Sequence, residues 1–325
     1  MTDMLFSIVV PALNEESNIT ILLESVFKQS YRPIEVIVVD GGSVDRTSKM
    51  VAQRASEWNN QDLGIVLVKE LSHDHRSAAH ARNMGISESH GNYVLIVDSD
   101  FVLSNTDILN ELAVALRNHE TACFRTVTLK DTWLEQNLAL DSQEPIFRGP
   151  IIGLSGIAFR REALIGLRFD DMLGFGDDID FRNRMRKANV PSPVVVSAVG
   201  ARHRPRTLSE LRRQRSWYGR TAPLWLSKNP SLMKAFEIAP VAPIVLLALS
   251  ILLLFKYGIV GLLPLVAFFA IPVTVFLRSA KRSAGRFLYL TFVRYIYAPF
   301  CFSLGLAEGV VERIVRGRID PSRRA

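Results

Sequence analysis

The stretch Val94-Leu95-Ile96-Val97-Asp98-Ser99-Asp100 constrains the fold more than any other part of the chain. Four apolar residues run directly into two carboxylates that bracket a serine. A run with no polar alternation reads as a strand buried on both faces. In open α/β sheets, ligands bind just beyond the carboxyl ends of such strands. Two carboxylates at i and i+2 there can grip one hard divalent cation, which commonly bridges a carboxylate to a diphosphate. The competing reading is a surface turn with two solvated aspartates.

The flanking sequence repeats the theme. Phe6–Val10, Ile34–Val39 and Ile65–Val68 are further apolar runs that read as strands. Between them, Ile19, Leu22, Leu23, Val26 and Phe27 recur at helical spacing behind Ser17, a residue suited to the N-cap. Asp45 and Thr47 open a second helix, and Ala78–Ser87 reads as a third. Strand and helix alternate with short links, which predicts an α/β fold: a mostly parallel sheet flanked by helices. Asp107–Asn118 is an amphipathic helix, Thr126–Leu129 a strand and Trp133–Leu140 a helix. Ile151–Phe159 is apolar but broken by Gly153 and Gly156. An acidic turn, Gly174 to Asp180, leads into a helix over Phe181–Ala188, and Val194–Val199 is a further strand.

No GxGxxG, Walker lysine motif, HExxH or GxSxG occurs, which argues against the common dinucleotide, P-loop, zincin and hydrolase sites. What does occur, in order, is Val10-Pro11-Ala12-Leu13-Asn14-Glu15, Val38-Val39-Asp40-Gly41-Gly42-Ser43-Val44-Asp45-Arg46-Thr47, Ala81-Arg82-Asn83, Asp98-Ser99-Asp100 and Gly176-Asp177-Asp178-Ile179-Asp180. This series, over roughly residues 5 to 200, resembles the family 2 glycosyltransferases with the GT-A fold. The resemblance implies an inverting transferase that uses a nucleotide-activated sugar and Mg2+ or Mn2+. It places Pro11, Asn14 and Glu15 beside the nucleotide, Asp40 at the base, Arg82 towards the diphosphate and Asp98 and Asp100 on the metal. Asp178 becomes the catalytic base, with Asp177 in place of the family's usual Glu. Gly41 stands where many members carry a second Asp. A histidine near position 203 completes the metal shell or touches phosphate in several relatives, which makes His203 a candidate ligand; an exposed histidine in a basic loop is the alternative. His73, His75 and His80 lack zinc spacing and read as loop and helix-start residues.

The chemistry fits those roles. Negative charge grows on the leaving diphosphate, and a bound cation neutralises it for several kcal/mol in such sites. A carboxylate that takes the acceptor's proton contributes ~10²–10⁴-fold. Asp177, Asp178 and Asp180 could instead form a helix N-terminal cluster favoured by the macrodipole.

Net charge is +7, and residues 201–234 hold nine Arg or Lys against one Glu. This stripe adjoins an apolar tail, so an anionic lipid surface explains it better than nucleic acid. Arg212-Arg213-Gln214-Arg215-Ser216-Trp217 approaches the QxxRW element of processive synthases, but Ser216 separates Arg215 from Trp217. The segment reads instead as an interfacial amphipathic helix carrying Trp217, Tyr218, Leu224 and Trp225. Residues 238–255 and 258–277 are uncharged and of spanning length, which predicts a transmembrane hairpin. Lys228, Lys234, Arg278, Lys281, Arg282 and Arg286 flank it and place the catalytic domain on the cytoplasmic side. Residues 287–311 either span or lie in the interface. The two cysteines, Cys123 and Cys301, form no disulfide framework.

The expected organisation is a catalytic domain over 1–200, a basic interfacial segment over 201–234, a membrane region over 235–311 and a basic tail over 312–325. The expected activity is transfer of a sugar from a UDP- or GDP-sugar to a lipid-linked acceptor at the cell membrane, with no nucleic-acid partner. The alternatives are a processive polysaccharide synthase and a non-catalytic nucleotide-sugar-binding membrane protein.

Overall fold

The structure is a computed structural model that describes residues 4–59, 62–69, 77–143, 155–228, 242–258, 263–278, 283–316 and 319. In chain order its elements are β1 (Phe6–Ala12), α1 (Ile19–Phe27), β2 (Ile34–Asp40), α2 (Thr47–Trp58), β3 (Leu63–Lys69), α3 (Ala78–Glu88), β4 (Tyr93–Ile96), β5 (Phe101–Leu103), α4 (Ile108–Leu116), β6 (Thr121–Thr128), α5 (Trp133–Gln143), β7 (Ile157–Arg160), α6 (Asp177–Lys187), β8 (Val194–Arg202), α7 (Leu208–Lys228), α8 (Ala242–Tyr257), α9 (Leu263–Arg278), α10 (Ala284–Leu288), a π-helical segment (Tyr289–Tyr297) and α11 (Ala298–Arg316). The chain divides into two compact units, one of Met1–Leu129 with Pro150–Arg204, the other of Lys130–Gly149 with Pro205–Ala325.

The first unit holds one sheet of order β3-β2-β1-β4-β7-β6-β8-β5. β1 to β4 run parallel, as the alternation of strand and helix requires. β7 is antiparallel to both its neighbours, β4 and β6. β6 and β8 are parallel, and β5 closes the edge antiparallel to β8. The reason for the unbroken apolar runs is visible in β1. Phe6, Ile8 and Val10 face Leu22, Leu23 and Val26 of α1, Val51 of α2 and Leu109 and Leu112 of α4. Val9 points the other way, towards Ala79 of α3 and Phe181 and Met185 of α6. Period-two side chains therefore meet helices on both faces. Each fully buried aliphatic side chain contributes about 1.5–3 kcal/mol.

Local departures have local causes. α1 starts at Ile19, not behind a Ser17 cap; Asn18 precedes it and donates from Nδ2 to Glu15 Oε2 at 2.9 Å. β6 starts at Thr121, ahead of the expected Thr126. Part of the glycine-broken stretch becomes β7. His80 lies in the first turn of α3, where Ser77 Oγ accepts from its backbone N–H at 3.0 Å. His73 and His75 lie outside the described residues.

The second unit is helical. Trp225, expected at an interface, is fully buried, as are Leu211 and Ala222. Gly219 of α7 and Gly305 and Gly309 of α11 let the two helices touch backbone to backbone. A Cβ on Gly305 would lie 1.9 Å from Ser216 O, and one on Gly219 the same distance from Phe302 O. The two arms of the expected transmembrane hairpin carry α8 and α9, each of 16 residues among the described ones. Residues 238–241 and 259–262 lie outside the described residues. Among the described residues, one helix is long and apolar enough to cross a membrane by length and composition, the 32 residues of Ala284–Val315. A multi-pass topology is not supported.

Candidate active site

The site grows from the carboxyl ends of β1, β2 and β4, which lie side by side because the strands are parallel. Pro11 sits inside β1, where the missing N–H is harmless: pairing with β4 ends at Val9. Beyond it the chain turns at Asn14, whose φ of 57° is in the left-handed region that Asn tolerates. Asn14 Oδ1 accepts from Val44 N at 2.9 Å, and its own N–H donates to Ser43 Oγ at 2.8 Å. Glu15 N donates to Thr47 Oγ1 at 2.8 Å. The loops after β1 and β2 are thus knitted together. Asp40, 3% exposed at the end of β2, holds the second loop: its Oδ1 accepts from Ser43 N and Oγ at 2.9 and 2.6 Å, and its Oδ2 accepts from Ser48 Oγ.

Asp98 and Asp100 leave β4 and converge on one guanidinium. Arg202 Nε donates to Asp100 Oδ2 at 2.9 Å, and its Nη2 lies 3.7 Å from Asp98 Oδ2. Arg202 also lies over the Phe101 ring, 5.3 Å from its centroid. The backbone of the turn is fixed from two sides: Asp98 N donates to Ser155 Oγ at 2.8 Å, and His203 N to Asp100 O at 2.9 Å. Arg82 of α3 bridges two carboxylates, reaching Asp98 Oδ1 at 2.8 Å and, through Nη1, Asp177 Oδ2. The Phe169 ring lies 5.4 Å from this guanidinium and stacks at 3.9 Å on Phe181 of α6.

Charge follows from this geometry. Burial works against ionised Asp98, but Arg82 and Arg202 hold it below the usual carboxylate range. Burial lifts Asp100, with Arg202 opposing and Asp98 adding repulsion. Asp177 is pushed up to about 6, by burial first and by the like charges of Asp178 and Asp98, against the pull of Arg82. Burial disfavours charged Arg82, yet Asp177 and Asp98 outweigh it and raise its affinity for the proton.

Two observations test the fit to a divalent cation. Asp98 and Asp100 present oxygens to a common positive point. Asp100 Oδ1 is buried with no hydrogen-bond partner. Both suit a hard, oxygen-liganded ion.

Of the residues expected in the site, Asp98 and Arg82 are joined directly, and Asp100 is joined to Asp98 through Arg202. Pro11, Asn14, Glu15 and Asp40 line up on the neighbouring strand ends. His203 is joined through its backbone, and its imidazole is buried. Asp178 is on the first turn of α6, where its Oδ1 accepts from Ile179 N at 2.8 Å. Gly176, at φ 78°, turns the chain into that helix. Arg202 and Ser155 were missed as site residues. Arg202 stood in the basic stripe beside His203, and nothing local linked either residue to Asp98.

The sheet is shared with a solved glycosyltransferase. The chain superposes on the mannosyltransferase PcManGT from Pyrobaculum calidifontis, solved with GDP-Man and Mn2+, at a TM-score of 0.51 and 21% identity. That match covers 97% of this chain and 88% of the other, and it gives the fold as GT-A. Residues 7–172 match the model of glycosyl transferase family 2, and the chain belongs to that family. Glycosyltransferase GlyG of Streptococcus pneumoniae is 35% identical over 105 residues, 32% of this chain and 33% of that protein. Undecaprenyl-phosphate 4-deoxy-4-formamido-L-arabinose transferase of Proteus mirabilis is 29% identical over 133 residues, 40% and 39% of the two chains. The shared stretch spans well under half of both curated relatives.

Proposed function

We propose that the chain transfers a sugar, with inversion, from a UDP- or GDP-sugar to a lipid-linked acceptor at the cytoplasmic membrane face. The observation that carries this reading is the chain of charges Asp100–Arg202–Asp98–Arg82–Asp177, which leads from the end of β4 to the start of α6. The GDP-Man and Mn2+ of the structural neighbour and the undecaprenyl-phosphate of the Proteus relative support the donor and acceptor classes. Catalytic roles fall to residues 1–200, and the helices beyond carry the membrane contact.

Asp98 and Asp100 would hold Mg2+ or Mn2+, which when bound supplies positive charge to the departing diphosphate; His203, joined to Asp100 through its backbone, is the further candidate ligand. Pro11, Asn14, Glu15 and Asp40 shape the nucleotide's berth; Asp40 does so by holding the Ser43 turn. Arg82 orients Asp98 and faces the diphosphate side. Asp178, free at Oδ2 of the helix-capping contact that Oδ1 makes, receives the acceptor proton when the acceptor is a hydroxyl.

Asp178→Asn tests the acceptor. A rate loss of ~10²-fold or more indicates a hydroxyl acceptor. Near-parental turnover indicates an acceptor phosphate, already ionised and in no need of a base. Asp98→Asn with Asp100→Asn is expected to abolish Mn2+-dependent thermal stabilisation by nucleotide sugar; equal stabilisation with and without EDTA in the parent refutes the metal role.

A further inference from the structure

The second unit contains a polar cluster that the transfer chemistry does not use. Its centre is Asp141 of α5, 5% exposed. Arg286 Nη2 lies 2.8 Å from its Oδ1, and Arg294 Nη1 lies 3.4 Å from its Oδ2. Tyr289 Oη donates to Oδ2 at 2.6 Å. Arg286, 1% exposed, also donates to Asn137 O at 2.9 Å. Arg215 of α7 completes the group: Arg294, Tyr289 and Asp141 all act on it, and it sits 5.7 Å from the Tyr218 ring centroid.

Two guanidinium groups, those of Arg286 and Arg294, pair with one carboxylate, and a third, that of Arg215, lies within its field. Gathering like charges away from water is costly unless an opposite charge balances them. Arg215 Nε is buried and has no hydrogen-bond partner. Burial and the Arg294 charge push Arg215 below the ordinary arginine range. An anion at Arg215 would relieve both, and the Arg294 side chain is 30% exposed.

The backbone is unusual at the same place. Tyr289–Tyr297 winds as a π-helix, a form that is rare and concentrated at functional sites. With i→i+5 winding, Tyr289 and Arg294 share a face and reach the same carboxylate; in an α-helix they would diverge by roughly 140°. Phe292 and Ile296 of this segment, with Phe287 and Leu288 just before it, are 56%, 39%, 40% and 50% exposed. A cationic cluster therefore adjoins an apolar face.

We propose that Arg215 and Arg294, backed by Asp141, Tyr289 and Arg286, bind a phosphate or diphosphate carried on a hydrocarbon chain, which lies along the exposed face of residues 287–296. In identifying this ligand with the acceptor, the assignment rests on the lipid-linked reading above. The other source of the same chemistry is a phospholipid headgroup.

The test uses the full chain with neutral phosphatidylcholine vesicles, alone or with equal charge as polyprenyl phosphate or as phosphatidylglycerol. Arg294→Gln and Arg215→Gln are expected to weaken binding to one or both charged vesicles by about tenfold or more, the loss for a charged hydrogen bond. Loss confined to polyprenyl phosphate identifies the acceptor; equal loss in both arms identifies a general headgroup site. Arg213→Gln, exposed on the same helix, serves as control. Parental binding by both variants in both arms overturns the site. Should the variants unfold, competition on the parent decides: geranyl phosphate displaces it from the polyprenyl phosphate vesicles and geraniol does not, whereas equal displacement refutes the proposal. Thermal stabilisation by nucleotide sugar is read on the same samples, so failure of the donor reading is seen separately.

Discussion

Glu35 shows how one side chain can tie together the starts of neighbouring strands. It faces Ser7 across β1 and β2, accepts from Ser7 Oγ at 2.5 Å, and accepts from His90 N and Gly91 N at 2.5 and 3.1 Å. Burial raises its pKa, and these hydrogen bonds more than reverse that, leaving it below the ordinary value. A carboxyl lowered on folding stabilises fully above its unfolded pKa, and the gain is lost as pH falls through the folded value. Glu35→Gln is expected to cost about 1–3 kcal/mol at neutral pH. Urea unfolding should show the gap to the parent narrowing below about pH 4.5; a gap that widens there contradicts the account. Arg82 is the second such residue. Arg82→Met leaves Asp98 and Asp177 without their shared cation, at a cost of about 3–5 kcal/mol, and Arg82→Lys should restore part of it. A melting temperature equal to the parent's for the Met variant would remove Arg82 from this role. At this scale the sequence revealed Asp98 and Asp100, because a strand exit is a local pattern. Arg202 and Ser155 meet them only through the order of β4, β7, β6, β8 and β5, which no local spacing encodes.

Elements differ in the same way. β1, β2 and β4 were legible because helices on both faces demand uninterrupted apolar side chains. β5 and β7, of three and four residues, are too short to show a period and were not read as strands. Glycine supplies a test in the second unit. Gly305→Val would drive a side chain into the backbone of α7, and a loss of about 3 kcal/mol or more is expected. Gly64→Ala in β3 meets nothing within 4 Å and is expected to be neutral or to gain up to about 1 kcal/mol. Thermal unfolding of both variants separates close packing from a general intolerance of glycine replacement.

For the whole molecule, the relevant quantity is exposed apolar surface. Leu252, Phe255, Val266, Phe292, Phe300 and Ile314 are all between 50% and 88% exposed. Large exposed apolar surface marks a membrane or protein contact. Binding to neutral vesicles is therefore expected to survive about 1 M salt, which screens charge within roughly 3 Å but leaves apolar burial intact. Complete release by salt would mean that charge alone holds the chain to lipid.

The placement of β5 has a further bearing. β4 lies mid-sheet and β5 at its margin, with three strands between them. The link carrying Asp98-Ser99-Asp100 is nonetheless a tight turn, with Phe101 N donating to Asp98 O at 3.2 Å, so the sheet curls until its margin, where Phe101 pairs with Arg202, returns to the end of β4. A closed turn has one correct length. A single residue inserted between Asp100 and Phe101 would leave Asp98 anchored by Ser155 while letting its twin slide, so the two carboxylates would lose their common focus though neither had been altered.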